Sequence, residues 1–170
     1  MRIWISNRQR KMALNPERIK KRAGKILNAL GWSEAELSLT ILGDRAMARL
    51  NRETFGRRGP TNVISFPLDA PNLAFAGDGL ARESRGAPGP GPRSTSRASP
   101  PTVLGEVVIS LETTINQARQ LGWPWQELFD FFLIHGILHL LGYDHGTPPE
   151  EAAMTHKTWE LMGLLHLKLK

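Results

Sequence analysis

Three histidines within eleven residues constrain this chain more than any other feature of its sequence. They lie in the run HGILHLLGYDH, residues 135–145. His135 and His139 are four residues apart, so on a helix their rings lie one turn apart on the same face and can bind one metal ion. Gly142 stands where a left-handed residue can end the helix, and the turn after it can return His145 to the same ion. The spacing predicts a metal site with these three histidines as ligands.

The ligand chemistry favours a catalytic metal over a structural one. Zinc binds four groups in a tetrahedron, so three histidines leave one position for water, which becomes acidic when it is bound. The chain has no cysteine, which leaves histidine and carboxylate as ligands. A lone histidine on an apolar helix is more often a core residue. However, residues 125–141 are apolar nearly all round, and two buried histidines there would both need polar partners. We predict one bound ion, zinc by geometry, although imidazole also suits nickel, copper and iron.

The spacing is also that of the long zinc motif of metalloproteases, with one difference. Gly136 stands where those enzymes carry the glutamate that acts as general base, which argues against peptide hydrolysis. A zincin-like metal helix is an analogy that carries no chemistry by itself. The attacking group is then a metal-bound water or, in RNA, a 2′-hydroxyl. Asp144 is a candidate either to orient a histidine ring or to cap the turn.

The histidine run resembles the signature of the YbeY family of bacterial metal-dependent endoribonucleases. Two further blocks agree in the same order, PTNVISFP at residues 60–67 and LGEVVIS at residues 104–110. The resemblance covers most of residues 35–165, except about 74–102. It implies a zinc-dependent endoribonuclease, specific for single strands, that acts in maturation of the 16S rRNA 3′ end and in ribosome quality control. The implied partners are single-stranded RNA, ribosomal RNA and ribosomal particles.

A loop before PTNVISFP carries the second candidate site. In the family this loop carries a basic residue proposed to act in catalysis, typically an Arg directly before the Gly and followed by Lys and Asp. In this sequence Phe55 stands at the Arg position, and Arg57 and Arg58 occupy the next two. We take Arg57 as the candidate catalytic residue, because an arginine near the metal can hold a phosphodiester bidentately and offset the charge that grows on its oxygens. An ordinary surface arginine is the alternative.

The net charge of +6 is unevenly distributed. Residues 1–30 carry nine Lys or Arg and one acid, whereas residues 104–170 carry four Lys or Arg and eight acids. The basic region can contact phosphates without sequence preference, or it is a solvated helix face. No apolar run approaches the ~20 residues of a membrane span, and the N-terminus lacks the apolar core of a signal peptide. We therefore expect a cytoplasmic protein without membrane contact.

The hydrophobic pattern predicts an α+β fold, with a small mixed sheet packed with helices in a single domain over residues 1–170. We expect Asp44 and Ser110 to cap the helices that follow them, and Glu106 to face solvent at a sheet edge, although it can also anchor a histidine or a loop. Residues 77–101 contain five Gly, five Pro and four Ser, which predicts a disordered loop. Strands are predicted at 2–6, 36–42, 63–66 and 104–110, and helices at 16–30, 44–54, 111–121, 125–141 and from Pro148 onward.

Three functions remain open at this point. The first is the endoribonuclease. The second is a metal hydrolase of a peptide or small-molecule substrate, which would need a base from elsewhere, with Glu106 or Asp144 the first candidates. The third is a ribosome-associated assembly factor with a structural metal site, which would bind ribosomal particles through its basic N-terminal region even after metal removal.

Overall fold

The structure, a computed structural model, describes residues 1–68 and 102–166. These residues form four strands and five helices. Each begins within one residue of its predicted start, and each except α5, for which no end is predicted, ends within one residue of its predicted end. The predicted disordered loop at 77–101 lies outside the described residues. The strands are β1 (Arg2–Asn7), β2 (Glu36–Leu42), β3 (Val63–Pro67) and β4 (Val103–Ser110), and the helices are α1 (Pro16–Ala29), α2 (Asp44–Phe55), α3 (Leu111–Leu121), α4 (Trp125–Leu140) and α5 (Pro148–His166).

The strands form one mixed sheet in the order β1-β2-β4-β3. β1, β2 and β4 are parallel, and the short β3 pairs antiparallel with β4 at the edge. The predicted α+β fold is thus confirmed. The expectation that Glu106 lies at an edge is wrong, because β3 occupies that edge and β4 is an interior strand. Glu106 is partly buried and accepts a hydrogen bond from the Thr40 hydroxyl.

Helix α4 forms the centre of the core, because it is the element with apolar residues on every side. It packs on β3 and β4 and also contacts α1, α3 and α5. Leu133, Ile134, Ile137 and Leu138 are fully buried, and each such side chain contributes roughly 1.5–3 kcal/mol of transfer free energy. A helix enclosed in this way is a rigid support for any polar side chain that it carries.

The opposite face of the sheet holds a smaller apolar cluster under α2. Since side chains alternate along a strand, Val107 and Ile109 face the main core while Val108 faces Met47 of α2. The expectation that Asp44 caps its own helix is wrong, because Gly43 is the N-cap residue. The Asp44 carboxylate instead accepts hydrogen bonds from the hydroxyls of Ser110 (2.8 Å) and Thr113 (2.6 Å) in the next strand–helix corner.

Candidate metal centre

The C-terminal end of α4 forms a turn that returns the chain towards its own last helical turn. Gly142 has φ of 93°, the left-handed conformation that its spacing predicts. Its N–H donates to the His139 carbonyl (3.1 Å), and the Tyr143 N–H donates to the Leu138 carbonyl (3.0 Å). These two bonds form a Schellman motif, which satisfies the last carbonyls of the helix. The chain therefore reverses directly after His139 and brings His145 back.

The structure brings together the three histidines that the sequence singles out. Nε2 of His135 lies 3.0 Å from Nε2 of His139. The nearest ring nitrogens of all three residues lie within 4.8 Å of one another, and the ring centroids of His139 and His145 are 5.3 Å apart. His135 and His139 are partly buried, whereas the His145 side chain is 56% exposed. Two rings are thus held by the helix, and the third lies on a solvent-facing turn.

The pKa values of His135 and His139 are lowered by burial and by neighbouring histidines. Burial, followed by the neighbouring His139 and His145, lowers the pKa of His135 to about 4. Burial and His145 also lower the pKa of His139, although Asp144 and a hydrogen bond to the Tyr143 backbone act in the opposite direction. Both helix histidines are therefore neutral near pH 7, and neutral imidazole is the form that binds a metal ion.

The cluster fits a divalent cation. Two imidazole nitrogens on one tetrahedral zinc ion lie roughly 3.3 Å apart, given Zn–N bonds of about 2.05 Å, so the observed 3.0 Å is close to the required separation. Within the described residues the cluster consists of imidazoles alone, the donor type that zinc and its neighbours in the first transition row prefer. The structure therefore contains a three-histidine cluster that can bind a metal ion.

Gly136, next to the first histidine, lies where the helix touches the sheet. A Cβ atom at this position would lie 2.5 Å from Cγ1 of Val107 and 3.2 Å from Cγ2 of Val63. The Gly136 carbonyl accepts a hydrogen bond from the Ser65 hydroxyl (2.9 Å), which fastens α4 to β3. No side chain fits at this contact unless the strands move. This contact explains why the glutamate that metalloproteases carry at this position would not fit here.

Asp144 serves the turn. Its Oδ1 accepts the backbone N–H of His145 at 2.7 Å and lies 3.9 Å from Nδ1 of the same residue. The second distance exceeds a hydrogen bond. Of the two roles that the sequence leaves open for Asp144, capping the turn is the one observed.

The loop that carries Arg57 is held by α2 and leads into β3. Gly56 ends α2 with φ of 67°, and the buried Asn51 donates from Nδ2 to the Gly59 carbonyl (3.0 Å). Arg57 is exposed, while Phe55, at the family's arginine position, packs against the apolar cluster under α2. Arg57 lies six residues before Val63, which contacts the Gly136 position, so the loop and the metal helix share β3 as support. The catalytic role of Arg57 stays a prediction.

An ion-pair cluster in the N-terminal half of α4 was not identified from the sequence. Asp130 is 2% exposed, pairs with Nη1 of Arg22 from α1, and has its Oδ2 3.0 Å from Nε2 of His166 in α5. Burial raises the pKa of Asp130, although Arg22 and His166 act against this effect. Its signal is an acid flanked on both sides by apolar residues of α4, but the sequence does not identify partners so distant along the chain.

Comparisons with known proteins show which family the chain belongs to. Residues 4–166 match the family model of Endoribonuclease YbeY. The chain belongs to the YbeY family. Endoribonuclease YbeY of Geobacter sulfurreducens is 35% identical over 167 residues, which cover 97% of this chain and 96% of the relative. That of Syntrophus aciditrophicus is 34% identical over 168 residues, which cover 98% and 91%. The resemblance in the three sequence blocks is thereby confirmed, and YbeY proteins are by name RNA-cleaving hydrolases.

A solved structure shows the same fold. The solution structure of TM1509 from Thermotoga maritima matches with a TM-score of 0.60 at 20% identity, and the match covers 95% of this chain and 87% of that one. Among the helices of residues 1–68 and 102–166, none has both the length and the apolar character that crossing a bilayer requires.

Proposed function

We propose that this YbeY-family chain is a zinc-dependent endoribonuclease that cuts single-stranded RNA during maturation of the 16S rRNA 3′ end and in ribosome quality control. The observation that carries the proposal is the three-histidine cluster at the end of α4, in a chain that matches an endoribonuclease family over residues 4–166. Its partners are single-stranded RNA, ribosomal RNA and ribosomal particles in the cytoplasm.

In this proposal His135, His139 and His145 hold one zinc ion. A bound zinc ion supplies a Lewis acid that polarises the phosphodiester and makes a water molecule acidic near neutral pH. The chain keeps two of its ligands in the form that binds the ion, because burial lowers the pKa of His135 and His139 and so favours the neutral rings. The exposed third ring lies on the solvent side, where an RNA strand has access.

Arg57 is the proposed catalytic residue. Its guanidinium would hold two phosphate oxygens and offset the charge that grows on them as the bond breaks. Two hydrogen bonds of Asn51 support the placement of its loop, since its backbone carbonyl accepts the Arg57 N–H and its side-chain Nδ2 donates to the Gly59 carbonyl. Arg58, the next residue, is the alternative. Either arginine would take over the task of the residue that Phe55 replaces.

Two other functions compete with this one. A hydrolase of peptides or small molecules lacks support, because the close contact at Gly136 leaves no room for a general base and Asp144 is used by its own turn. A ribosome-associated assembly factor with a structural metal is favoured by one observation: the partly buried Phe55, where the family carries arginine, packs against the apolar cluster under α2.

The test is cleavage of a fluorescent single-stranded RNA by the purified chain. We expect cutting by the zinc-loaded protein, none after chelation, and none by His139→Ala. His156→Ala, which removes an exposed histidine of α5 outside the cluster, is the matched control and should cut normally. Equal cutting by His139→Ala would indicate a contaminating nuclease. Absence of cutting despite bound zinc would favour the assembly factor.

The same assay tests the arginine. Loss of one transition-state donor costs on the order of a hundredfold in kcat. We expect this loss for Arg57→Ala with little change in KM, and a smaller loss for Arg58→Ala. The reverse order would transfer the role to Arg58.

A further inference from the structure

A cavity lies between α1 and the N-terminal half of α4, away from the histidines. Its volume is about 210 Å³, below the ~300–1,000 Å³ of pockets for drug-sized ligands, so it suits one small planar ring system. Its lining combines apolar walls with a few polar groups at the mouth and on the floor. The lining residues include Leu14, Arg18, Ile19, Arg22, Trp125 and Asp130.

An aromatic ring forms one wall of this cavity. Trp125, at the first position of α4, is partly exposed, and Phe129 packs edge-on against it, with ring centroids 6.5 Å apart and planes at 87°. The contact restrains the indole while leaving part of it accessible. A restrained, accessible indole is a platform on which any nucleobase can stack, because every base has a π-face.

The floor of the cavity is an internally neutralised ion pair. The Arg22 guanidinium is paired with the buried Asp130 carboxylate, which also lies next to His166. Arg22 is therefore held by the protein, and the exposed Arg18 at the mouth is the cation placed to meet an incoming anion.

A basic track continues from the mouth along α1. Residues 18, 21, 22 and 25 follow the spacing that places side chains on one helix face, and Arg18, Lys21 and Lys25 are exposed. The single acid of α1, Glu17, lies 3.8 Å from Lys20. Proteins that bind single strands combine such a track for the phosphates with an aromatic surface for the bases.

We propose that this cavity binds one base of a single-stranded RNA, stacked on Trp125, with the adjoining phosphate on Arg18 and later phosphates along Lys21 and Lys25. The inference rests on the proposed function and gives the strand a second attachment point. Phe129, at the cavity, precedes His135 and His139 by six and ten residues, which is roughly 9 and 15 Å along the helix axis. A strand must therefore extend by several nucleotides to reach both sites.

Binding of a fluorescent single-stranded RNA of about ten nucleotides to the full chain tests this site. A chelator keeps the strand intact, and fluorescence anisotropy gives Kd. We expect Arg18→Ala and Trp125→Leu each to weaken binding by about tenfold or more, and Trp125→Phe, which keeps a stacking ring, to retain most of the affinity. Arg49→Ala is the matched control, since it removes one exposed arginine from α2 on the other face of the sheet; its Kd should match that of the unmodified chain.

Wild-type affinity in Arg18→Ala or in Trp125→Leu would overturn the inference, as would equal weakening by Arg49→Ala, which would indicate nonspecific charge attraction. If Trp125→Leu does not fold by thermal melting, Arg18→Ala and Trp125→Phe decide, and a wild-type Kd in Arg18→Ala overturns the proposal. The cleavage assay separates the two claims. If the variants bind RNA more weakly but the unmodified chain shows no zinc-dependent cutting, the proposed function is overturned and the binding site is supported. If the unmodified chain cuts RNA but the variants keep its Kd, the proposed function is supported and the binding site is overturned.

Discussion

The two ends of α4, a largely apolar helix, differ in how their polar side chains are compensated. In the N-terminal half, the buried Asp130 meets Arg22 and His166, so the charge is balanced by side chains of the chain itself. At the C-terminal end, His135, His139 and His145 offer three groups of the same kind, and burial with the neighbouring imidazoles lowers the pKa of the two helix histidines. The charge at one end is balanced by folding, whereas the other end can bind a cation from solution.

The largest expected effect is at the C-terminal end. His139→Ala removes one of the three proposed ligands, and since loss of an outer partner alone costs 10–100-fold in metal affinity, we expect zinc affinity to fall by more than about 100-fold. Competition with a chromophoric chelator measures this. Asp130→Asn should leave zinc affinity unchanged, and a similar drop in both variants would show that the two ends are not independent.

The ion pair in the N-terminal half should matter for stability. Asp130→Asn leaves the Arg22 guanidinium without its counter-charge in a largely buried position, and breaking such a pair costs about 3–5 kcal/mol. Denaturant unfolding measures the free energy. Glu127→Ala, in the first turn of the same helix, is the control and should cost less than about 1 kcal/mol. If Asp130→Asn also lowers the free energy of unfolding by less than about 1 kcal/mol, solvent reaches the ion pair and screens it.

The two ends should respond to pH with opposite signs. The pKa of His135 is about 4 in the folded chain and 6.5 ordinarily, so the unfolded chain binds more protons between these values. Without metal, stability should therefore fall by up to about 3 kcal/mol as pH drops from 6.5 to 4. The raised pKa of Asp130 acts oppositely, because the folded state takes up that proton first. Melting curves of chelated protein and of His135→Asn check this, and the variant should show a weaker dependence.

A smaller effect is expected where α4 touches the sheet. Gly136→Ala places a methyl group 2.5 Å from Val107 Cγ1, and overpacking of this kind costs about 1–3 kcal/mol. Val107→Ala should restore part of the loss in the double variant, which unfolding of all three proteins measures. Additive losses would show that the clash is relieved elsewhere.

The sequence predicts those features that depend on local pattern. The nine elements of the described residues follow from periodicity and caps, and the three histidines follow from spacing on one helix and a glycine turn. Features that depend on the order of strands and on distant partners were not predictable. Glu106 was assigned to an edge because nothing local shows that β3 pairs outside β4. Asp44 and Asp130 find partners 66 and 108 residues away, for which periodicity carries no signal.

The glycine contact at the start of the histidine run also sets a distance. Because no Cβ separates the α4 backbone from Val107 and Val63, the helix lies in close contact with β4 and β3 at this point. One of these two strands, β3, is the strand into which the Arg57 loop leads. A larger residue would act as a spacer between the helix that carries the imidazoles and these strands. Gly136 thus helps to set the spacing between the histidine cluster and the start of β3.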